Sequence, residues 1–233
     1  EVVIEENHGI NDLCNIVMDE VDPRCQVVRG PGRPIASTMA AMDSDALGVL
    51  LVGHHARAGS RPGIMAHTVS YGEFRGVRLN NRKVGEPDLF AIRAGELGVP
   101  VGLITGDQVA AEQVQALVPN VETVIVKTAL SNRAGNCIPP ARAQEMIKAG
   151  AEQAVRRAVA GEFKPYVGDV APYTIEVELR NDMVDGLRQN LEAMPEFEIV
   201  NPRLVRTQVE DMDMGFRRIA YLSFGQVPGL QRY

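Results

Sequence analysis

"VPVGLITGDQVAAEQVQALVP" occupies residues 99–119 and contains the change of pattern that decides the fold. Its first half is mainly apolar, as in a strand that is buried on both faces of a sheet. The second half places Val109, Val114 and Leu117 on one face of a helix, which Pro119 ends. A buried strand that leads into an amphipathic helix predicts a parallel sheet covered by helices.

The same alternation of strand and helix patterns recurs along the chain. "EVVI" (1–4), "CQVVRG" (25–30) and "ALGVLLVGHH" (46–55) predict strands, the last buried on both faces, while "INDLCNIVMDEV" (10–21) and "PIASTMAAM" (34–42) predict helices. "GVRLNNRKVG" (76–85) predicts a hairpin that turns at Asn80-Asn81. The alternating "YTIEVEL" (173–179) predicts a half-buried strand.

These patterns predict an α/β fold with two domains. We expect a mostly parallel, Rossmann-like sheet flanked by helices in residues 1–135, which would bind a metal. A smaller α+β two-layer sandwich would follow in residues 136–233.

Composition excludes several classes of partner. The chain has 233 residues, of which 45% are hydrophobic and 23% charged, as in an ordinary globular protein. A net charge of -6 argues against nucleic-acid binding, which needs a basic surface. No apolar stretch approaches the roughly 20 residues of a membrane helix, so no membrane partner is expected.

The three cysteines are widely spaced, which is typical of reduced thiols and predicts a cytoplasmic protein. The chain begins on Glu1 instead of a methionine and enters an apolar, strand-like run at once, with no signal-peptide pattern before it. We therefore expect an N-terminal piece to be missing from this sequence.

Three of the four histidines lie in "GHHARAGSRPGIMAH", residues 53–67. His8 and His55 each follow a predicted strand, and the carboxyl ends of parallel strands form the usual binding crevice of such a sheet. With Glu86, and with Glu6 as a further candidate, they form a donor set that zinc accepts. A structural or surface role for these histidines is an equal alternative at this point.

Three more side chains are candidates for work on a substrate. His67 follows a glycine-rich loop and suits a catalytic base, acid or nucleophile, or else a histidine hydrogen-bonded to backbone. Arg57 would bind a substrate carboxylate or oxyanion, or pair with a surface acid. Lys127 would reach into the crevice from a strand end, or point into solvent. Asp107 is predicted to cap the helix that follows it.

Four blocks in a fixed order carry a resemblance to a known family. They are "GHHARAGSRPGIMAHT" (53–68), "VRLNNRKVGE" (77–86), "AGELGVPVGLITGD" (94–107) and "VKTALSNRAGNCIPPARA" (126–143). In these blocks the chain resembles the zinc-dependent D-aminopeptidase family of metallopeptidases, and the resemblance extends over nearly the whole chain.

The resemblance implies roles for individual residues. His8, His55 and Glu86 would take part in binding a pair of zinc ions, and His67 would be the catalytic residue. His54 would be a bystander at a position where the family often has an aromatic residue. Histidine and carboxylate ligands also accept Mn²⁺ or Co²⁺.

The sequence departs from the family at both sides of the expected metal site. Family members begin with a strand that carries an Asp-x-Glu pair, and no such pair precedes "EVVI" here. Either a preceding segment supplies it, or the protein binds one metal ion at most. "EPDLF" (86–90) and Glu5-Glu6-Asn7 also differ from the family pattern, which leaves room for a different substrate.

The expected function is therefore a zinc-dependent amide or peptide hydrolase of the aminopeptidase type. By the resemblance it would release an N-terminal amino acid, of D or L configuration, from short peptides or amides. The resemblance also implies a ring-like homo-oligomer, with a decamer as the expectation, in which residues 136–233 would serve oligomerisation and closure of the site. The alternatives are a hydrolase of a small non-peptide amide and a non-catalytic relative that binds a small ligand.

Overall fold

The computed structural model describes residues 1–9, 13–30 and 39–224. Its contacts divide the chain into unit 1, Glu1–Asp43, and unit 2, Ser44–Tyr233. In unit 1 the strands β1 (Val2–Glu5) and β2 (Cys25–Val28) pair in parallel. Both segments were predicted to be strands, and both predictions are confirmed.

The helix predicted for residues 10–21 is wrong over the part that the structure describes. Residues 13–21 contain only a short 3-10 helix, Met18–Glu20. The backbone N–H groups of Asn15 and Ile16 donate to the carboxylate of Glu6, so this segment does not make the hydrogen bonds of a helix. Residues 10–12, and residues 34–38 of the helix predicted for 34–42, lie outside the described residues.

The first sheet of unit 2 has the order β3-β6-β7-β8. Its strands are β3 (Val49–His54), β6 (Val101–Asp107), β7 (Glu122–Ala129) and β8 (Gly135–Cys137), and only β8 runs antiparallel to its neighbour. Every residue of β6 is buried, as predicted.

β3 lies at the edge of this sheet, and the prediction that it is buried on both faces is wrong. The side chains of Leu50 and Val52 are 37% and 56% exposed. An apolar run does not distinguish an edge strand from a central one, because pairing partners decide that difference.

Three helices accompany the first sheet: α1 (Glu86–Glu96), α2 (Gln108–Leu117) and α3 (Pro140–Val159). Both α2 and α3 pack on β6 and β7. The apolar stripe of α3 meets a buried cluster that includes Leu103, Val124 and Phe163. Asp107 caps α2, since its Oδ1 accepts the N–H of Ala110 at 2.8 Å, which confirms the predicted cap.

The second sheet of unit 2 is antiparallel throughout, with the order β10-β11-β9-β4-β5. Its strands are β4 (Phe74–Leu79), β5 (Arg82–Val84), β9 (Tyr173–Leu179), β10 (Phe197–Asn201) and β11 (Leu204–Val209). The helices α4 (Asp185–Glu192) and α5 (Met212–Phe224) pack against it. Burial alternates along β9, as its sequence predicts.

The predicted hairpin is confirmed by the pairing of β4 with β5. Its turn residues Asn80 and Asn81 have φ values of 47° and 67°, a left-handed conformation that asparagine tolerates better than most residues. After this turn only Gly85 separates the end of β5 from Glu86, the first residue of α1.

The α/β fold class is confirmed. The domain boundary near residue 135 stays a prediction, although β4 and β5, which precede it, share a sheet with β9, β10 and β11, which follow it. No helix among the described residues is both long and apolar enough to cross a membrane.

Candidate metal centre

Three side chains of unit 2 converge on one point: His55, His67 and Glu86. The Nε2 atoms of His55 and His67 lie 3.5 and 3.7 Å from Oε1 of Glu86. The two imidazole rings stack with their centroids 3.7 Å apart. All three side chains are buried, so the structure holds two nitrogens and a carboxylate oxygen together away from most solvent.

Backbone carbonyl groups determine which nitrogen of each ring carries the proton. Nδ1 of His55 lies 3.2 Å from the oxygen of Ala56, and Nδ1 of His67 lies 2.6 Å from the oxygen of Met65. Because a carbonyl oxygen only accepts, each Nδ1 must donate a proton. In the neutral ring, Nε2 then has its lone pair directed towards Glu86.

Two lone pairs and a carboxylate oxygen that face one another require a cation between them. A second proton on a ring can serve, and so can a metal ion. Metal-binding histidines commonly donate their other N–H to a backbone carbonyl, as both rings do here. The imidazole nitrogen of His55 and the carboxylate of Glu86 are therefore donors that fit zinc, with Nε2 of His67 beside them.

Glu86 is the first residue of α1, and its Oε1 also accepts the backbone N–H of Val69 at 2.8 Å. Burial acts to raise the pKa of Glu86, but its contact with His55 and the nearby His67 outweigh burial and lower that pKa to about 2. Burial in turn acts to lower the pKa of His55, and Glu86 outweighs it, so that pKa is raised. The carboxylate is thus ionised at neutral pH.

Gly85 and Asp88 fix the position of Glu86. A Cβ atom at Gly85 would lie 2.9 Å from Cβ of Arg57, so only glycine fits where α1 begins against the chain that follows His55. Oδ2 of Asp88 accepts the N–H of Gly85 at 2.8 Å, and its Oδ1 pairs with Arg82. Asp88 belongs to the "EPDLF" segment, where the sequence departs from the family pattern.

Asp107 anchors the loop that carries His67. Besides capping α2, it accepts the N–H of Ile64 on Oδ2 at 2.8 Å, and it is completely buried. The sequence predicts the cap but not this second contact, since no local pattern links residue 107 to residue 64.

Further hydrogen bonds hold the same loop, although its sequence suggests flexibility. Oγ1 of Thr68 accepts the N–H of Ala58 at 3.1 Å and donates to the oxygen of Val84 at 3.0 Å. Gln113 accepts the N–H of Arg57 at 3.0 Å and donates to Oγ of Ser60 at 2.9 Å. These polar residues, which the sequence did not single out, tie the loop to α2 and to β5.

His54 contacts an aromatic neighbour in α1. Its ring meets Phe90 edge-on, with centroids 5.5 Å apart. Arg57 is half-buried, and among the described residues its guanidinium forms no ion pair. Lys127 lies in β7, opposite Asp107 and Cys137, and lines an open pocket with Met65 and Tyr71. The substrate contacts predicted for Arg57 and Lys127 stay predictions.

His8 belongs to unit 1, where it follows β1 and is exposed. Its backbone oxygen accepts a hydrogen bond from Nδ2 of Asn15 at 2.9 Å. Its assignment as a metal ligand stays a prediction. Glu6, the other candidate in unit 1, uses its Oε1 to accept the N–H groups of Asn15 and Ile16. Its carboxylate therefore holds the backbone at Asn15 and Ile16.

Comparison with known proteins identifies the family of this chain. A family model described as D-aminopeptidase, of the M55 peptidases, matches residues 1–221. The chain belongs to the D-aminopeptidase family. Within this family, the D-aminopeptidase of Bacillus subtilis strain 168 is 35% identical over 147 residues, which are 63% of this chain and 52% of that protein. The sequence match thus spans about half of the length of this curated relative.

A solved structure of the same family has the same fold. It is described as the Zn-dependent D-aminopeptidase DppA from Bacillus subtilis, a self-compartmentalizing protease. It matches with a TM-score of 0.82 and 28% identity, covering 96% of this chain and 78% of that chain.

Proposed function

We propose that this D-aminopeptidase family member is a zinc-dependent aminopeptidase that releases an N-terminal D-amino acid from short peptides or amides. Family membership supports the reaction class. The observation that carries the proposal is the convergence of the Nε2 atoms of His55 and His67 on Oε1 of Glu86, with a backbone carbonyl beside each Nδ1.

In this proposal His55 and Glu86 hold metal, and His8 joins them. An Asp-x-Glu segment would complete a pair of sites in the whole protein, and Mn²⁺ or Co²⁺ would be accepted besides zinc. Bound zinc would polarise the scissile carbonyl and would lower the pKa of water from about 16 towards about 7.

His67 is proposed to move the proton. Nδ1 of His67 donates to the backbone oxygen of Met65, which leaves proton transfer to Nε2. In this proposal Nε2 takes a proton from the attacking water and returns it to the departing amine. Because the ring is buried and stacked on His55, its direction is set before substrate arrives. Arg57 and Lys127 are proposed to contact the substrate.

We also propose that the chain assembles into a ring-like homo-oligomer, a decamer by expectation, in the cytoplasm. The description of DppA as a self-compartmentalizing protease supports this assembly. A closed ring would restrict entry to small peptides.

The test measures zinc content and turnover of D-alanine amide in the same samples. We expect about two zinc ions per complete chain, loss of both metal and turnover in His55→Ala, and loss of turnover with metal retained in His67→Ala. His54→Ala is the matched control, because it removes the neighbouring imidazole.

Two results would contradict these assignments. Full activity in His55→Ala would remove His55 from the metal site, and loss of metal in His67→Ala would make His67 a ligand. A complete chain that binds no zinc would instead favour the non-catalytic, ligand-binding relative.

A further inference from the structure

A cleft of about 790 Å³ lies beside the loop of His67 in unit 2. One wall is the loop that contains Ala58 and Arg61, and the other is formed by side chains of the second sheet. Ala66 and Tyr71 also line it. Ala66 precedes His67 in the chain, and the ring of Tyr71 meets the ring of His67 edge-on with centroids 5.8 Å apart. The cleft therefore opens next to the candidate centre.

The cleft is strongly basic in a chain of net charge -6. Two acidic side chains, Glu176 and Glu178, line it against six basic ones. The basic side chains are Arg61, Arg75, Arg78, Lys83, Arg180 and Arg203.

The acids of the cleft are already neutralised. Glu178 pairs with Arg75 at 3.4 Å, and Glu176 pairs with Arg206 at 2.8 Å. Arg203 is also paired, with Asp182 outside the cleft, so the positive charge that remains comes from the other basic side chains. Arg61 and Lys83 are exposed, and neither forms an ion pair among the residues that the structure describes. The surplus of positive charge is therefore available to an anionic ligand.

Tyr71 lines the cleft and also contacts the ring of His67. Nε of Arg180 donates to the backbone oxygen of Tyr71 at 2.8 Å, and the guanidinium lies 5.5 Å from the centroid of its ring. The hydroxyl of Tyr71 donates to Oδ1 of Asn132 at 3.1 Å. An extended peptide advances about 3.5 Å per residue, so two residues beyond the scissile bond reach past Tyr71.

We infer that this cleft binds the C-terminal carboxylate of a short peptide substrate. The inference rests on the proposed function and names its substrate class: peptides of three or four residues with a free carboxyl terminus. Such a peptide has opposite charges at its two ends. Its amine and its scissile bond would lie at the candidate centre, and its carboxylate would lie near Arg61 and Lys83.

The test compares three substrates on the zinc-loaded complete protein: the all-D tripeptide of alanine, the C-terminal amide of that tripeptide, and D-alanine amide. We expect kcat/KM to be higher for the tripeptide acid than for its amide. In the double variant Arg61→Ala/Lys83→Ala this preference should fall by about tenfold, mainly through KM, as for the loss of a charged contact.

Arg156→Ala is the matched control. Arg156 is an exposed arginine on α3 that pairs with Glu152 and does not line the cleft. We expect it to keep the preference for the acid, which separates a local contact from a change in overall charge.

The outcomes distinguish the inference from the function on which it rests. Equal kcat/KM for acid and amide in the unchanged protein, with D-alanine amide still hydrolysed, would overturn the carboxylate site alone. An unchanged preference in the double variant, or an equal fall in Arg156→Ala, would also overturn it. Failure to hydrolyse all three substrates would overturn the proposed function.

Discussion

Replacing Asp107 tests whether the loop of His67 is held by a buried carboxylate. Asp107→Ala leaves two backbone N–H groups, those of Ile64 and Ala110, without their acceptor. Loss of the cap on α2 costs about 1 kcal/mol. An unsatisfied donor at Ile64 costs about 1–3 kcal/mol. We therefore expect the free energy of unfolding to fall by about 3 kcal/mol, measured by urea denaturation.

Asp107→Ser separates the two contacts. Serine is a good cap and keeps the bond to Ala110, but its shorter side chain does not reach Ile64. We expect this variant to lose about 2 kcal/mol of stability. Its kcat should fall as far as that of Asp107→Ala, because a loop shift of about 1 Å can cost about a hundredfold in rate.

The assay is kcat on saturating D-alanine amide, with zinc content measured in each sample. Wild-type kcat in Asp107→Ser would refute the reasoning, since it would show that the contact with Ile64 does not position His67.

Three further changes probe the same elements. Gly85→Ala should lower zinc affinity, because the added Cβ would lie 2.9 Å from Cβ of Arg57 and displace Glu86. Chelator competition measures this affinity, and an unchanged value would show that the loop absorbs the contact. Asn81→Val should lower the free energy of unfolding by about 1–2 kcal/mol, because a β-branched residue is strained at positive φ; Asn81→Gly is the control and should not lower it. Removing zinc with a chelator should lower the Tm, by an amount equivalent to about 2.7 kcal/mol if free zinc had been a hundred times its Kd; an unchanged Tm would mean that the folded chain binds no zinc tightly.

Local patterns predicted the elements whose structure depends on neighbouring residues. The turn at Asn80-Asn81, the cap at Asp107 and the alternating strand β9 all follow from the preferences of a few adjacent side chains. The helix predicted over residues 10–21 was wrong over its described part. There the carboxylate of Glu6 accepts N–H groups that a helix would use, and no periodicity reveals such a contact.

The residues of the candidate site also divide into those that the sequence indicated and those that it missed. The sequence, through its resemblance to a family, indicated His55, His67 and Glu86 and implied that they act together. It missed Asp88, Thr68 and the second contact of Asp107, because each of these supports a residue that is distant in the chain.

By itself the sequence determined the α/β class, the family, and the helices and turns that short-range preferences favour. Only the tertiary structure decided that β3 is an edge strand, that two imidazoles and a carboxylate converge within 3.7 Å, and that a basic cleft opens beside them. Strand pairing and loop anchoring join residues tens of positions apart. Their free energy depends on which distant backbone groups and side chains meet, and a local pattern does not contain that information.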